Sequence, residues 1–270
     1  MKANVLDLKG KVLKEIDVHD IFSKSYRSDL IKKAVISSQT NSYQPKSPKP
    51  YSNRDNTAVY IGVRKQNRMI VSINTGKARL PRLKNRQTLM AGRVAGLPWA
   101  VGGPKAHPPK ISKILVKRIN DKEKRLATLS AISATANKDL VLKRGGLLPE
   151  SIRLPIIVDN SIEKLAKTSE VYDCITNLGL EANILKAKKN KTVRAGKGKI
   201  RARKYKKRKS ILFVLDDTTN YKSFMNLEGV DVTSARLLSA QDLAPGTHAG
   251  RLTIFSESAI DKLNKRFLKV

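Results

Sequence analysis

The apolar positions of this chain form short clusters and helical stripes, and in two places the pattern breaks off. "NVLDLKGKVLKEI" (Asn4 to Ile16) holds two short runs around Lys9 and Gly10, which predicts a β-hairpin. Ile21, Phe22, Tyr26, Leu30, Ile31, Ala34 and Val35 then recur at helical spacing, predicting a helix from Asp20 to about Gln39 with His19 at its start. The prolines of "QPKSPKPYSNRDN" (Gln44 to Asn56) end the pattern. It resumes at Asp121, where "DKEKRLATLSAISATAN" predicts a helix with Leu126, Leu129, Ile132, Ser133 and Ala136 turned inward.

Beyond this point strands and helices alternate. "LPIIVD" (Leu154 to Asp159) is a short apolar run, and "SIEKLAKTSEVYDCITNLG" predicts a helix with Ser161 as N-cap and Gly179 as C-cap. "ILFVLDD" (Ile211 to Asp217) is the strongest buried-strand signal, with Asp216 and Asp217 expected to end the strand and cap the next helix. "VDVTSARLLS" and "RLTIFSESAIDKLNKRF" add short strands and a final helix from about Glu257. Short apolar strands between amphipathic helices predict an α/β fold, a mostly parallel sheet flanked by helices. The expected organisation is a globular body of 1–43 and 119–270, interrupted by a long internal loop at 44–118 and a basic extension at 186–209.

Charge sharpens this division. The 270 residues carry 55 Lys and Arg against 22 Asp and Glu, a formal net charge of +33. Residues 56–120 contain 14 Lys and Arg and no acid, and so do residues 186–209. The remainder carries 27 basic and 22 acidic residues, an ordinary balance for a folded domain. Self-repulsion of this size is relieved by a polyanion, and nucleic acid is the expected partner. No run of about 18 apolar residues and no signal peptide is visible, so neither a membrane nor a secretory route is expected, and the reading is a cytoplasmic protein.

The chemistry of small-molecule enzymes is missing. One Cys and three scattered His, His19, His107 and His248, offer no zinc-type cluster, and Cys174 falls mid-helix on an expected core face. "RAGKGKIRARKY" places Gly196 and Gly198 without the spacing, preceding strand or hydroxyl that a phosphate loop needs. "VGGPK" (Val101 to Lys105) lacks the dinucleotide spacing. No enzyme, cofactor, metal or small-molecule substrate is expected.

The two excursions carry the expected RNA contacts. In "RLPRLKNRQTLMAGRVAGLPWAVGGPKAHPPK" (Arg79 to Lys110) cations come every few residues among Gly and Pro. Glycines let backbone approach sugar-phosphate, and prolines stiffen the arm. An arm of roughly 30 residues out and 30 back reaches up to about 100 Å. Arg79, Arg82, Lys84, Arg86 and Arg93 form its dense part, with Lys105, His107 and Lys110 on the return. Trp99 is either a base-stacking residue or a packing anchor within the arm. The second excursion adds Arg194, Lys197, Lys199, Arg201, Arg203, Lys204, Lys206, Lys207 and Arg208 as phosphate binders. A free chromatin-type nucleic-acid binder is the competing reading, but no repeated or symmetric DNA-reading element is visible.

"NTGKARLPR" followed by "LPWAVGGPKAHPPK" resembles the internal loop of the large-subunit ribosomal protein L4 family in its archaeal and eukaryotic form. "LSAISATA", "LPIIVDNSIEKL", "RAGKGKIRARKYKKR" and "LAPGTHAGRLTIFSESAIDKL" are similar to its later landmarks, in order. The resemblance implies a structural protein with an α/β body on the outer face of the large subunit. It also implies early binding to large-subunit ribosomal RNA, neighbouring ribosomal proteins as partners, and a loop that narrows the nascent-peptide exit tunnel. The loop tip would fall near Gly76 to Trp99, with Lys77, Arg79, Arg82, Lys84 and Arg86 against RNA. The second extension fits the archaeal-type branch.

Overall fold

The computed structural model describes residues 2–18, 20–62, 73, 76–84, 89–150, 152–216 and 218–267. The chain divides into two units, 1–42 with 116–270, and 43–115.

The larger unit opens with the expected hairpin, β1 (Lys2–Leu6) and β2 (Val12–Asp17), paired antiparallel with Lys2 opposite Asp17. Its turn needs glycine: Gly10 has φ +78°, and a Cβ there would lie 2.8 Å from the Asn177 carbonyl oxygen. Helix α1 (Ser28–Asn41) begins later than its periodicity predicts. Asp20–Phe22 form a separate 3-10 turn that still buries Ile21 and Phe22. The Arg27 N–H donates to Ser130 Oγ at 2.6 Å, which holds Arg27 extended and delays the helix to Ser28. Tyr26 is consequently outside the helix and exposed, and His19 lies outside the described residues.

Helix α2 (Asp121–Ala136) is buried all round from Ala127 to Thr135. Small side chains at Ala127, Ala131 and Ala134 let neighbouring elements close on it, whereas Leu126, expected inside, is 41% exposed. The ends of 1–42 and 116–270 are stitched together: Ser37 Oγ donates to the Lys117 carbonyl at 2.6 Å, and the Lys117 N–H donates to Thr40 Oγ1 at 3.0 Å.

After α3 (Lys138–Lys143) come β3 (Ile156–Val158), α4 (Thr168–Asn177), α5 (Glu181–Lys189), β4 (Thr192–Val193) and β5 (Tyr205–Lys206). They are followed by β6 (Leu212–Leu215), α6 (Tyr221–Met225), β7 (Asp231–Ser234), α7 (Ala240–Leu243), β8 (Thr253–Ser256) and α8 (Glu257–Phe267). The helix expected over 161–179 is two pieces. Asn160–Lys164 form a 3-10 turn capped by Asp159, whose side chain accepts the Ser161 N–H, so Ser161 sits inside the turn rather than capping it. Gly179 does follow α4 in the left-handed region at φ +64°.

The sheet runs β2-β1-β3-β8-β6-β7 and is parallel except at β2. Both faces are covered, so β3, β6 and β8 are buried throughout, as parallel strands require. On one face Val5, Ile157, Leu212, Val214 and Phe255 pack with α1, α2, α7 and α8. On the other, Ile156, Val158, Phe213, Leu215 and Ile254 pack with α4, α5 and α6. Truncating Phe213 or Phe255 to Ala would cost about 3–5 kcal/mol. Asp216 does end β6, but it caps no helix: its carboxylate pairs with Lys262, and Asn220 precedes α6. Asp217 lies outside the described residues.

The unit at 43–115 contains no helix or multi-residue strand among its described residues, only isolated antiparallel bridges of Arg82 with Val59 and Val94. Ile61 and Pro104 are buried there. Leu89, Trp99, Val101, Ile111 and Ile114 are exposed.

Candidate nucleic-acid interface

The basic run at 186–209 is a folded projection. Lys186, Lys188 and Lys189 complete the last turn of α5, where cations suit the helix dipole. β4 and β5 then pair antiparallel, Thr192 with Lys206 and Val193 with Tyr205. The tip between them is fixed by its own backbone. The Arg194 N–H donates to Lys204 O at 2.8 Å, its Nε donates to Arg203 O at 3.2 Å, and the Arg203 N–H donates to Gly198 O at 3.0 Å. The Arg194 side chain packs over Gly198, where a Cβ would meet its Cδ at 2.9 Å. Lys197, Lys199, Arg201, Arg203, Lys204 and Lys206 all stand exposed on this ribbon, with Ile200 83% exposed at the tip.

Its root is held by the body. Lys191 and Lys207 both pair with Glu228, at 2.9 and 3.4 Å, and hydrogen bonds from Lys191 keep that carboxyl below the usual carboxylate range. Tyr205 lies between Lys191 and Lys204, whose ammonium groups are 5.1 and 5.5 Å from its ring. Arg208 and Lys186 both donate to the Gly145 carbonyl, at 2.8 and 3.1 Å. Lys207 and Arg208 therefore anchor the ribbon, while the tip cations face outward. Burial, with the charges of Arg251 and Arg208, presses Arg144 down to about 10, and its guanidinium is taken by the carbonyls of Pro245 and His248.

In the 43–115 unit the predicted residues separate. Lys77, Arg79, Arg93, Trp99, Lys105, His107 and Lys110 are exposed, and Lys84 is half-buried. Arg86 lies outside the described residues. Arg82 is an internal staple: one terminal nitrogen donates to Gly92 O at 3.0 Å and the other to Ala78 O at 2.9 Å. Trp99, 72% exposed, is not packed against the arm. It sits in a turn closed by Ala100 N–H to Leu97 O at 3.1 Å, followed by a second turn in which Gly103 N–H donates to Ala100 O at 2.8 Å and a Cβ on Gly103 would lie 1.8 Å from Leu97 O. Sequence reasoning missed Glu228 as the ribbon's anchor; its partners lie more than 20 positions away and leave no local pattern.

Fold and surface together define a class: an α/β body with an acid-free basic ribbon, in a chain whose second unit is acid-free from residue 56 onward. Among the described residues no group of His, Cys, Asp and Glu is arranged to hold a metal, and no helix is long and apolar enough to cross a membrane. A family model described as the ribosomal protein L4/L1 family matches residues 16–266. The chain is 45% identical over 268 residues to the large ribosomal subunit protein uL4 of Methanocaldococcus jannaschii, covering 99% of this chain and 100% of that protein. It is 44% identical over 267 residues to the protein of that name from Methanococcoides burtonii, covering 98% and 99% of the two chains. Against that of Methanoculleus marisnigri it is 43% identical over 265 residues, with 98% and 99% covered. The chain belongs to the ribosomal protein L4/L1 family. It is a structural ribosomal protein and not an enzyme.

Proposed function

We propose that this chain is a structural constituent of the large ribosomal subunit that binds large-subunit ribosomal RNA through its two cationic projections. The ribbon tip neutralises RNA phosphates. The arm at 44–118 threads into folded RNA, helps form the nascent-peptide exit tunnel and meets neighbouring ribosomal proteins, and both projections support subunit assembly. The observation that carries this reading is the ribbon. Lys197, Lys199, Arg201, Arg203 and Lys204 stand exposed on a tip whose backbone is already fixed, in a segment without a single acid. A preformed set of cations binds phosphate with less ordering cost than a flexible tail. The names of the archaeal relatives support the same placement.

Sedimentation of the tagged chain from a lysate at moderate salt, with and without ribonuclease, tests it. Co-migration with the large subunit that ribonuclease abolishes is the expected result. Migration with DNA, or as a free monomer, would overturn it.

A further inference from the structure

The 43–115 unit holds a groove that the contacts above leave unused. Segments 47–54 and 104–112 border an open cavity of about 740 Å³, within the roughly 300–1,000 Å³ of ligand sites. Proline faces and the ring of Tyr51 supply its apolar wall. Lys49, Arg54, Lys105 and Lys110 line it, and no carboxylate does. Lys49 is engaged by Asp55 at 3.6 Å, which leaves Arg54, Lys105 and Lys110 as the cations facing an occupant.

Tyr51 is unusual in two independent ways. It is 77% exposed, so it serves no core. Its φ is +60°, a left-handed conformation that a bulky side chain rarely adopts. The surroundings impose it. The Tyr51 carbonyl accepts the N–H groups of Arg54 and Asp55 at 2.8 and 3.0 Å, and the Ser52 N–H donates to Lys49 O at 2.9 Å. Asn53 Nδ2 ties the turn across to Gly103 O at 3.2 Å. A strained backbone that holds an aromatic ring in water, beside an apolar wall rimmed by cations, calls for a flat anionic ligand.

We infer that this groove receives one unpaired nucleotide of RNA. Its base stacks on Tyr51 and the prolines, and the adjoining phosphates meet Arg54, Lys105 and Lys110. A neutral peptide strand would fill the apolar wall but leave those three cations without counter-charge. The inference rests on the ribosomal-RNA reading above and adds a position and a contact chemistry to it.

The test is the affinity of the full chain for purified large-subunit ribosomal RNA over a series of salt concentrations, comparing wild type with Tyr51→Gly, Tyr51→Phe and the pair Lys105→Ala, Lys110→Ala. Glycine suits φ +60°, so Tyr51→Gly removes the ring without straining the turn. It should raise Kd about 5- to 150-fold, the range of a base–aromatic stack, with an unchanged salt slope. Tyr51→Phe should bind as wild type, and the lysine pair should flatten the slope. Wild-type affinity in Tyr51→Gly overturns the groove while leaving the RNA reading intact. Loss in Tyr51→Phe equal to that in Tyr51→Gly also overturns it, because stacking needs no hydroxyl. A wild-type chain with no salt-dependent affinity overturns the RNA reading itself. Unchanged RNA affinity together with loss of a neighbouring protein from reconstituted subunits would overturn it in favour of a peptide.

Discussion

Arg251 and Asp231 meet at 2.5 Å, and the arginine side chain is 2% exposed. Arg251 also donates to the carbonyls of Ser210, Ile211 and Asp242, so its charge is satisfied only as one piece of a buried network. Removing the carboxylate leaves that charge buried and uncompensated. Asp231→Asn should lower the unfolding free energy by about 3 kcal/mol. Guanidinium denaturation followed by circular dichroism measures it, and an unchanged midpoint contradicts it.

The same carboxyl sets an acid limit. Burial opposes its ionisation, but the charges of Arg251 and Lys209 overcome this and hold Asp231 below the usual carboxylate range. A lowered folded-state value means that its contribution is complete above about pH 3.9, the unfolded value, and is lost as pH falls through the folded one. Stability attributable to this pair should therefore be flat from pH 7 to 5 and decline only below about pH 4. Asp231→Asn should remove part of that decline in paired denaturation curves.

Cys174 is buried in α4, and burial together with the charge of Asp7 pushes its thiol up to about 11. It is the chain's single cysteine, so a thiol reagent reads it directly. At pH 8 the native protein should react far more slowly than the denatured chain. Equal rates would mean that the α4 face opens readily.

The ribbon tip predicts a slope rather than a single affinity. Each phosphate neutralised contributes about 0.7–0.9 to the dependence of log K on log salt. Replacing Lys197, Lys199, Arg201 and Arg203 together by Ala should flatten the slope by about 3. An unchanged slope would remove phosphate contact as their role.

Deleting 77–99 separates the arm from the body. Binding of ribosomal RNA by the rest of the chain should remain measurable, while large-subunit particles assemble incompletely or carry an altered tunnel. Gradient profiles and filter binding report the two effects, and loss of all RNA affinity would put the contact entirely in the arm.

What the sequence discloses follows from the range of the interactions concerned. The parallel strands and final helix are local patterns, and Phe213 and Phe255 are buried where their runs imply. Boundaries set by distant partners are not local: α1 starts late because Ser130, 103 positions away, takes the Arg27 N–H. Leu126 faces outward because alanines, not leucine, permit the closest helix approach. Among the cations, charge alone does not separate contact from scaffold. Arg82, Lys207 and Arg208 look like their neighbours in sequence, yet carbonyls engage the two arginines and Glu228 pairs with the lysine. Tyr51 carries no sequence signal because its conformation is imposed by hydrogen bonds around it.

The stitch of Ser37 and Thr40 to Lys117 closes the body at the point where the chain departs and returns, and every strand of the six-stranded sheet lies outside 43–115. The body's closure is thus independent of what lies between. The segment between Thr40 and Lys117 can be lengthened, trimmed or re-lettered without touching a residue of the sheet or of its two cores.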